Sequence, residues 1–559
     1  MRECEARSDP GGIGAYKRSN ETPLLCICFK ESVCTGEVFV LELLRKNIHM
    51  DRIKGEAQTQ IVLEDDINIT DAKPDVFMLV TEKGDIQTEE IRVMEDHVHV
   101  RGKLHFCVFY LSDEEIHRPA SMEGTLPFEE KIFVKGIAGG DNAVVETSLE
   151  DLSVGMINSR KLSVQAVARL HVYAEGFEDV MPAVGIVNDE NAEIQKKNVK
   201  SLHLAICKKD IFRIRKELEL PAGMPNIFQP VWQSCRVKDI GYEIGDENMR
   251  LHGELEVFLF YEGEGEQRPF QWYETSIPIS GSLECQGMRR EMLEDIRCRI
   301  GHKEMEIKAD EDGEERKIGL ELVLDLDMKL YEEIETELLS DIYSVEKEVE
   351  AIRQTGQFQV LLSKNTGKCR VNGRMQLSGQ EAELHKICMI AGDVIVDHTE
   401  VTAEGILVRG SVEVRMLYSS KNPDMPFGGK RESIPFSYTL EIPQAQKVDG
   451  VWRIDPVLEQ LQAAAVDTKE VEVKAQLSLK SFVCRQFEEP VVTDIQVKEL
   501  DHVRINALPG MVVYFVQPAD TLWNIGKRYY VPVQSLKEMN GLTGDEIRVG
   551  DKLLIVKGA

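Results

Sequence analysis

The sequence predicts a mainly β protein: three tandem β-sandwich-like repeat domains followed by a small strand–helix–helix–strand module. Three observations carry this. An alternating pattern that ends in Tyr occurs three times, a proline follows each copy at one fixed distance, and from Met511 onward the texture changes.

The repeated pattern is VRGKLHFCVFY at Val100–Tyr110, LHGELEVFLFY at Leu251–Tyr261 and VRGSVEVRMLY at Val408–Tyr418. Alternation of apolar and polar residues with period two marks a strand with one buried face. The shared glycines Gly102, Gly253 and Gly410 sit where a strand bends or another backbone comes close. Pro127, Pro278 and Pro435 each follow the Tyr by 17 residues, between apolar neighbours. A proline has no N–H to give to a ladder, so this position suits an edge strand or a bulge. Upstream, Pro74 and Pro225 each precede the Tyr by 36 residues. The third copy has Ala382 there, although its Leu377 still matches Ile69 and Leu220. A second alternating run closes each copy, at Leu162–Val172, Ile318–Met328 and Val471–Leu479. The domains expected are a disordered leader over 1–40, repeats over 41–180, 200–340 and 355–487, a linker over 488–510 and the terminal module over 511–559.

A chain of 559 residues with 42% hydrophobic and 29% charged residues can fill and cover several cores. Its net charge of -30 argues against a DNA or RNA partner, because phosphate binding needs clustered Lys and Arg. It also disfavours docking on an anionic membrane. The start lacks the apolar stretch of a secretory signal, and nothing approaches the ~20 apolar residues of a membrane span. The 12 cysteines are scattered, so reduced thiols are expected rather than a disulfide framework.

In the terminal module, Met511–Val516 reads as a strand and Pro518-Ala-Asp520 as a turn. Asp520 or Thr521 can cap a helix in which Leu522, Ile525 and Tyr529 share the core face. A second helix, Val533–Met539, stops at Asn540-Gly541, a left-handed cap, and Gly550–Val556 returns as a strand. Trp523, Lys527 and Tyr530 follow at i, i+4 and i+7 as a second, partly exposed stripe. Trp and Tyr anchors are favoured at protein interfaces, so this stripe is a candidate partner face; the competing reading is that Trp523 covers the module's small core. The module carries six Lys/Arg against five Asp/Glu, so the acidic excess belongs to the rest of the chain.

The module resembles the LysM family. The matching residues are Tyr514, Val516, Asp520-Thr521-Leu522, Ile525, Tyr529, Leu536, Asn540, Leu542, Ile547, Gly550, Leu553 and Ile555. The resemblance implies an N-acetylglucosamine-polymer groove between two loops, here Asp520-Thr521 and Asn540-Gly541-Leu542 through Ile547. Members usually carry Gly before Asp-Thr-Leu, and this chain has Ala519. A Cβ there crowds the floor of a sugar groove or disfavours a positive φ, which weighs against glycan.

Three such repeats followed by LysM resemble the SipL-type spore-coat morphogenetic proteins, and the repeat looks like their SPOCS domain. Leu41–Asp51 and Asp71–Val76 look like the start of such a protein. The resemblance implies a non-enzymatic adaptor in the mother-cell cytoplasm, at the forespore outer surface. Its LysM module would bind the coat-basement ATPase (SpoIVA type), tethering the coat to the forespore outer membrane; other coat proteins are further possible partners.

No cofactor, metal or catalytic residue is expected. Gly428-Gly429-Lys430-Arg431 lacks phosphate-loop spacing and hydroxyl. His97, His99 and His105 form an outward row with Arg101 and Lys103, a poor metal site on its own strand. Cys26-Ile-Cys28 with Cys34 lacks a fourth ligand. The carboxylates of Glu311–Glu315 and Tyr331–Glu335 read as solvated faces, and Gly263 and Gly265 as a hairpin loop. The alternative function is a peptidoglycan-binding cell-wall protein anchored by LysM, which would need export; a third is a structural coat component without a defined partner.

Overall fold

A computed structural model describes residues 42–114, 117–187, 191–377, 383–443, 445, 452–500 and 509–556. The leader read over 1–40, with Cys4, Cys26, Cys28 and Cys34, lies outside them, as does Ala382.

Each repeat is six strands in two three-stranded sheets. A short β1 (Glu42–Arg45) comes first. Repeat one then runs β2 (Ile48–Asn68), β3 (Val76–Met94), β4 (His97–Ser112), β5 (Pro119–Phe133), β6 (Asn142–Asn158) and β7 (Lys161–Val180). After β8 (Ala183–Val187), which pairs with β1, repeat two runs β9 (Ala192–Glu219), β10 (Ile227–Ile244), β11 (Asn248–Gly263), β12 (Phe270–Glu284), β13 (Leu293–Ala309) and β14 (Glu315–Ser344). Repeat three runs β15 (Lys347–Gln376), β16 (Leu384–Val401), β17 (Gly405–Ser420), β18 (Phe427–Glu441), β19 (Trp452–Ala465) and β20 (Glu470–Glu499). In every copy the second, third and fourth strands form one antiparallel sheet, and the first, sixth and fifth form the other. The third strand carries the repeated pattern, and the sixth carries the closing alternation.

The spacings read from the sequence become contacts. Pro127, Pro278 and Pro435 lie on β5, β12 and β18, each an edge strand, opposite Lys103, Glu254 and Ser411. The Pro-to-Tyr spacing is a hydrogen bond: the Tyr110 hydroxyl donates to the Pro74 carbonyl and that of Tyr261 to Pro225, both at 3.0 Å. Arg160 and Arg316 hold the same turns, donating to the carbonyls of Ile69 and Lys73 and of Leu220 and Met224. The pattern's glycine allows close approach. A Cβ on Gly102 would fall 2.4 Å from the Gln87 carbonyl oxygen, and one on Gly410 would fall 2.1 Å from that of Ile395.

One feature goes beyond a strand with a single buried face. Alternation holds only in the first half of β4; Phe106 to Ser112 are all buried. Phe106, Val108 and Tyr110 face their own sandwich, whereas Cys107, Phe109 and Leu111 face a core shared by all three repeats. Repeat two adds Val231, Trp232, Phe258 and Phe260 to that core, and repeat three adds Cys388, Met389, Leu417 and Phe427. Phe109, Phe260 and Phe427 meet edge to face, with centroids 5.4, 5.1 and 6.4 Å apart. Gly428-Gly429 serves packing here: a Cβ on Gly429 would meet the Val80 carbonyl of repeat one.

The strands also overrun the expected boundaries. β9 begins at Ala192, β14 ends at Ser344, β15 begins at Lys347 and β20 runs to Glu499. The linker read over 488–510 is therefore strand through Glu499; 501–508 lie outside the described residues. These extensions pair as ribbons: the start of β9 with the end of β14, and the start of β15 with the end of β20. Ile48, Met50, Val199, Leu338, Phe358 and Val491 pack them together across the repeats.

A third joint is ionic. Lys329 Nζ lies 2.8 Å from Asp51 Oδ2 and 2.9 Å from Glu175 Oε1, and Arg297 Nη1 lies 3.2 Å from the same Glu175 oxygen. Tyr331 donates to Asp51, and Arg453 of repeat three lies 2.5 Å from Asp295 of repeat two. Among the described residues, no helix is long and apolar enough to cross a membrane.

Candidate functional site

The terminal module pairs β21 (Met511–Phe515) with β22 (Lys552–Val556) around helices α1 (Leu522–Tyr529) and α2 (Val533–Asn540). Its core is Val516, Leu522, Ile525, Val531, Leu536, Leu553 and Ile555, with Tyr514, Tyr529, Leu542 and Ile547 packed on it. Thr521 is the cap of α1, its side chain accepting from the Asn524 N–H at 3.1 Å. Gly541 closes α2 at φ 64°.

The loop residues expected to meet a ligand are largely engaged within the module. Asp520 Oδ2 accepts from the Tyr514 hydroxyl at 2.6 Å and from the Gln517 N–H at 2.8 Å. Those two bonds, the Tyr514 one first, hold its carboxyl below the usual carboxylate range. Asn540 spends its whole amide: it donates to the Leu536 and Leu554 carbonyls and accepts from the Leu554 N–H at 2.6 Å. It staples α2 to β22. Leu542 and Ile547 belong to the core margin, whereas Thr521, Gly541 and the stretch 543–546 are exposed.

Ala519 adopts φ 70°, a left-handed conformation that a side chain penalises. Ala519→Gly is expected to stabilise the module by about 0.5–1 kcal/mol, seen as slower amide exchange of α1 in the full chain.

The Trp523 stripe needs correcting. It is partly exposed, as the sequence suggests, but its face is not open to an outside partner, because Trp523 and Lys527 face the end of β14. Trp523 Nε1 donates to Asp341 Oδ2 at 2.8 Å, and Lys527 Nζ reaches both Asp341 oxygens, at 2.7 and 2.8 Å. Arg353 Nη2 adds a third donor at 2.7 Å. Burial pushes the Asp341 carboxyl up, but the Lys527 and Trp523 bonds outweigh it and hold it below the usual range. Tyr530 does not continue the stripe; it is the left-handed cap of α1, φ 55°. Asp341 and Tyr343 escaped sequence reading because nothing separates one acidic residue from its neighbours in so acidic a chain.

His99 Nε2 does have a carboxylate beside it, Glu129 on β5 at 2.7 Å. Among the described residues, no group of three His, Cys, Asp or Glu is placed to hold a metal ion.

Three interlocked six-strand sandwiches and a βααβ module define a tandem-repeat binding protein. The family described as SipL, SPOCS domain matches residues 59–157, 227–308 and 383–466, and the LysM domain family matches 514–556. The chain thus carries three SPOCS domains of the SipL type and a C-terminal LysM domain. Both are non-catalytic domain types. Together they mark a sporulation protein associated with the spore coat that carries a module of the peptidoglycan-binding class. Among curated proteins, the chain is 44% identical over 43 residues to Uncharacterized protein YkzQ of Bacillus subtilis (strain 168). That match covers 8% of this chain and 57% of the relative's length. No solved structure matches.

Proposed function

We propose that the protein is a non-enzymatic adaptor of spore-coat assembly. Its three repeats serve as one body, and its LysM module binds the coat-basement ATPase (SpoIVA type), tethering the coat to the forespore outer membrane from the mother-cell side. The observation that carries this reading is the joining of three SPOCS domains to a single LysM module. A protein ligand is favoured over glycan by the internal use of Asp520 and Asn540, whose polar groups a sugar would otherwise take. The strained Ala519 points the same way. The partner would meet the module at the two loops marked by the LysM resemblance, around Thr521 and from Gly541 to Ile547.

The test compares the full chain with a chain lacking residues 511–559 against two baits, the polymerised ATPase and insoluble peptidoglycan. The full chain is expected on the ATPase only, and the truncated chain on neither. Retention on peptidoglycan alone would support a wall-binding protein instead. ATPase binding that survives the truncation would move the contact to the repeats.

A further inference from the structure

We propose that Trp523 and Lys527 form a carboxylate-reading site whose ligand is Asp341 of the same chain, so that the LysM module is latched onto the second repeat.

Trp523 and Lys527 stand one helical turn apart on α1, so their donors share a face. Both converge on Asp341 from the module side, while Arg353 of β15 supports the carboxylate from the repeat side. A lone surface ion pair would carry little weight, but a second contact is built beside this one. Tyr343 lies two residues on, hence on the same face of β14. Its hydroxyl donates to the Val531 carbonyl at 2.9 Å in a buried position, just after α1. Its ring meets Trp523 edge to face, with centroids 4.9 Å apart. Gly526 supplies the seat: a Cβ there would fall 2.7 Å from the Tyr343 hydroxyl oxygen. The module thus reads alternate residues of one strand, a carboxylate and then an aromatic hydroxyl. Charge fits too, because the module carries a small cationic excess and the rest of the chain is acidic. The occupant of the Trp523 face is therefore Asp341-Ile342-Tyr343, and an outside segment would need the same chemistry on an extended strand to take its place.

A zero-length carbodiimide tests this in the full chain. The reagent activates a carboxylate, and an adjacent amine displaces it to leave an amide. The product expected is a Lys527–Asp341 amide, found by mass spectrometry of the digest, with a yield independent of protein concentration. Asp341→Asn is expected to abolish it. Tyr343→Phe and Trp523→Phe leave both reacting groups in place and are expected to lower the yield about tenfold, the scale of one charge-assisted or buried hydrogen bond. A yield that rises with protein concentration would assign the carboxylate to a second copy and overturn the proposal. So would an unchanged yield in both Phe variants, which would reduce the pair to an incidental surface contact. Neither readout depends on what the loops bind, so this proposal and the adaptor reading stand or fall separately.

Discussion

Lys329→Met is expected to destabilise the folded chain by about 3 kcal/mol, near the lower end of what breaking a buried ion pair costs. Lys329 has 6% of its side chain exposed, and Glu175 has 3%. The ammonium compensates two carboxylates from another repeat at once, Asp51 and Glu175. Without it Glu175 keeps Arg297 at 3.2 Å and the Asn142 amide at 3.1 Å, which is why the lower figure is expected. Among the described residues, Asp51 then keeps the Tyr331 hydroxyl on Oδ2, and its Oδ1 has no hydrogen-bond partner. Urea unfolding followed by circular dichroism measures the loss. Adding Asp51→Asn and Glu175→Gln to Lys329→Met should recover much of it, because the penalty lies in leaving charge uncompensated rather than in lacking a salt bridge. A Lys329→Met chain as stable as the wild type would remove the ionic joint from this account.

The same site sets a pH dependence. Burial pushes the Glu175 carboxyl up, but Lys329 and then Arg297 outweigh it, so its pKa lies below the ordinary 4.5. A carboxylate with a depressed folded pKa stabilises fully above its unfolded value. That contribution is lost as the pH falls through the folded value. Burial lowers the Lys329 pKa, yet Asp51 and Glu175 raise it on balance above 10.5, so its contribution is lost only in strong base. At neutral pH both are fully present. Lys329→Met removes the main cation beside Glu175, so the gap between wild type and variant should narrow as the pH falls below about 4.

How far the sequence discloses this molecule depends on whether the signal is periodic. The three strands whose repeated pattern closes on Tyr110, Tyr261 and Tyr418, the edge prolines and the module's helices all follow from spacing, because local backbone sterics produce them. The shared core was less legible. Cys107, Phe109 and Leu111 break the alternation of β4, and a continuous apolar run is the mark of a strand buried on both faces. The sequence did not say against what. The ionic joint left no periodic trace. Glu175, Tyr331 and Cys484 occupy one repeat position, 13 residues past Leu162, Ile318 and Val471, yet share no chemistry. Repeats that pack on one another need complementary residues there, not identical ones. The strand extensions were missed for a related reason: the run Glu332–Ser340 is too acidic to read as buried, and only pairing with Lys196, Lys197 and Lys200 on β9 makes it a ribbon. In the module, LysM spacing located the loops, but that resemblance could not show Asp341 occupying the Trp523 face, since the contact joins residues 182 positions apart.

Phe260→Ala should cost about 3–5 kcal/mol, the range for deleting a buried aromatic side chain from a core that cannot collapse. Phe260 is fully buried, and its ring sits within 5.1–5.9 Å of those of Phe427, Phe109 and Phe270. Those neighbours come from all three repeats and lie on paired strands, so none can move in to fill the void without disturbing a ladder. The adjacent Tyr261 gives the control. It faces the repeat's own sandwich, and Tyr261→Phe removes only the bond to the Pro225 carbonyl, for about 1 kcal/mol. The two substitutions fall on opposite faces of one strand and separate the shared core from the private one. If the repeats are one cooperative body, Phe260→Ala lowers a single unfolding transition and all three repeats shift with it. Adding Phe427→Ala should then cost less than its separate effect, because the two cavities merge. A Phe260→Ala chain that loses under 1 kcal/mol, or in which only the second repeat melts early, would mean that the repeats are beads on a string. The adaptor would then lack the single body proposed for its repeats, while the latch, built on Asp341 and Tyr343 at the end of β14, would stay in place.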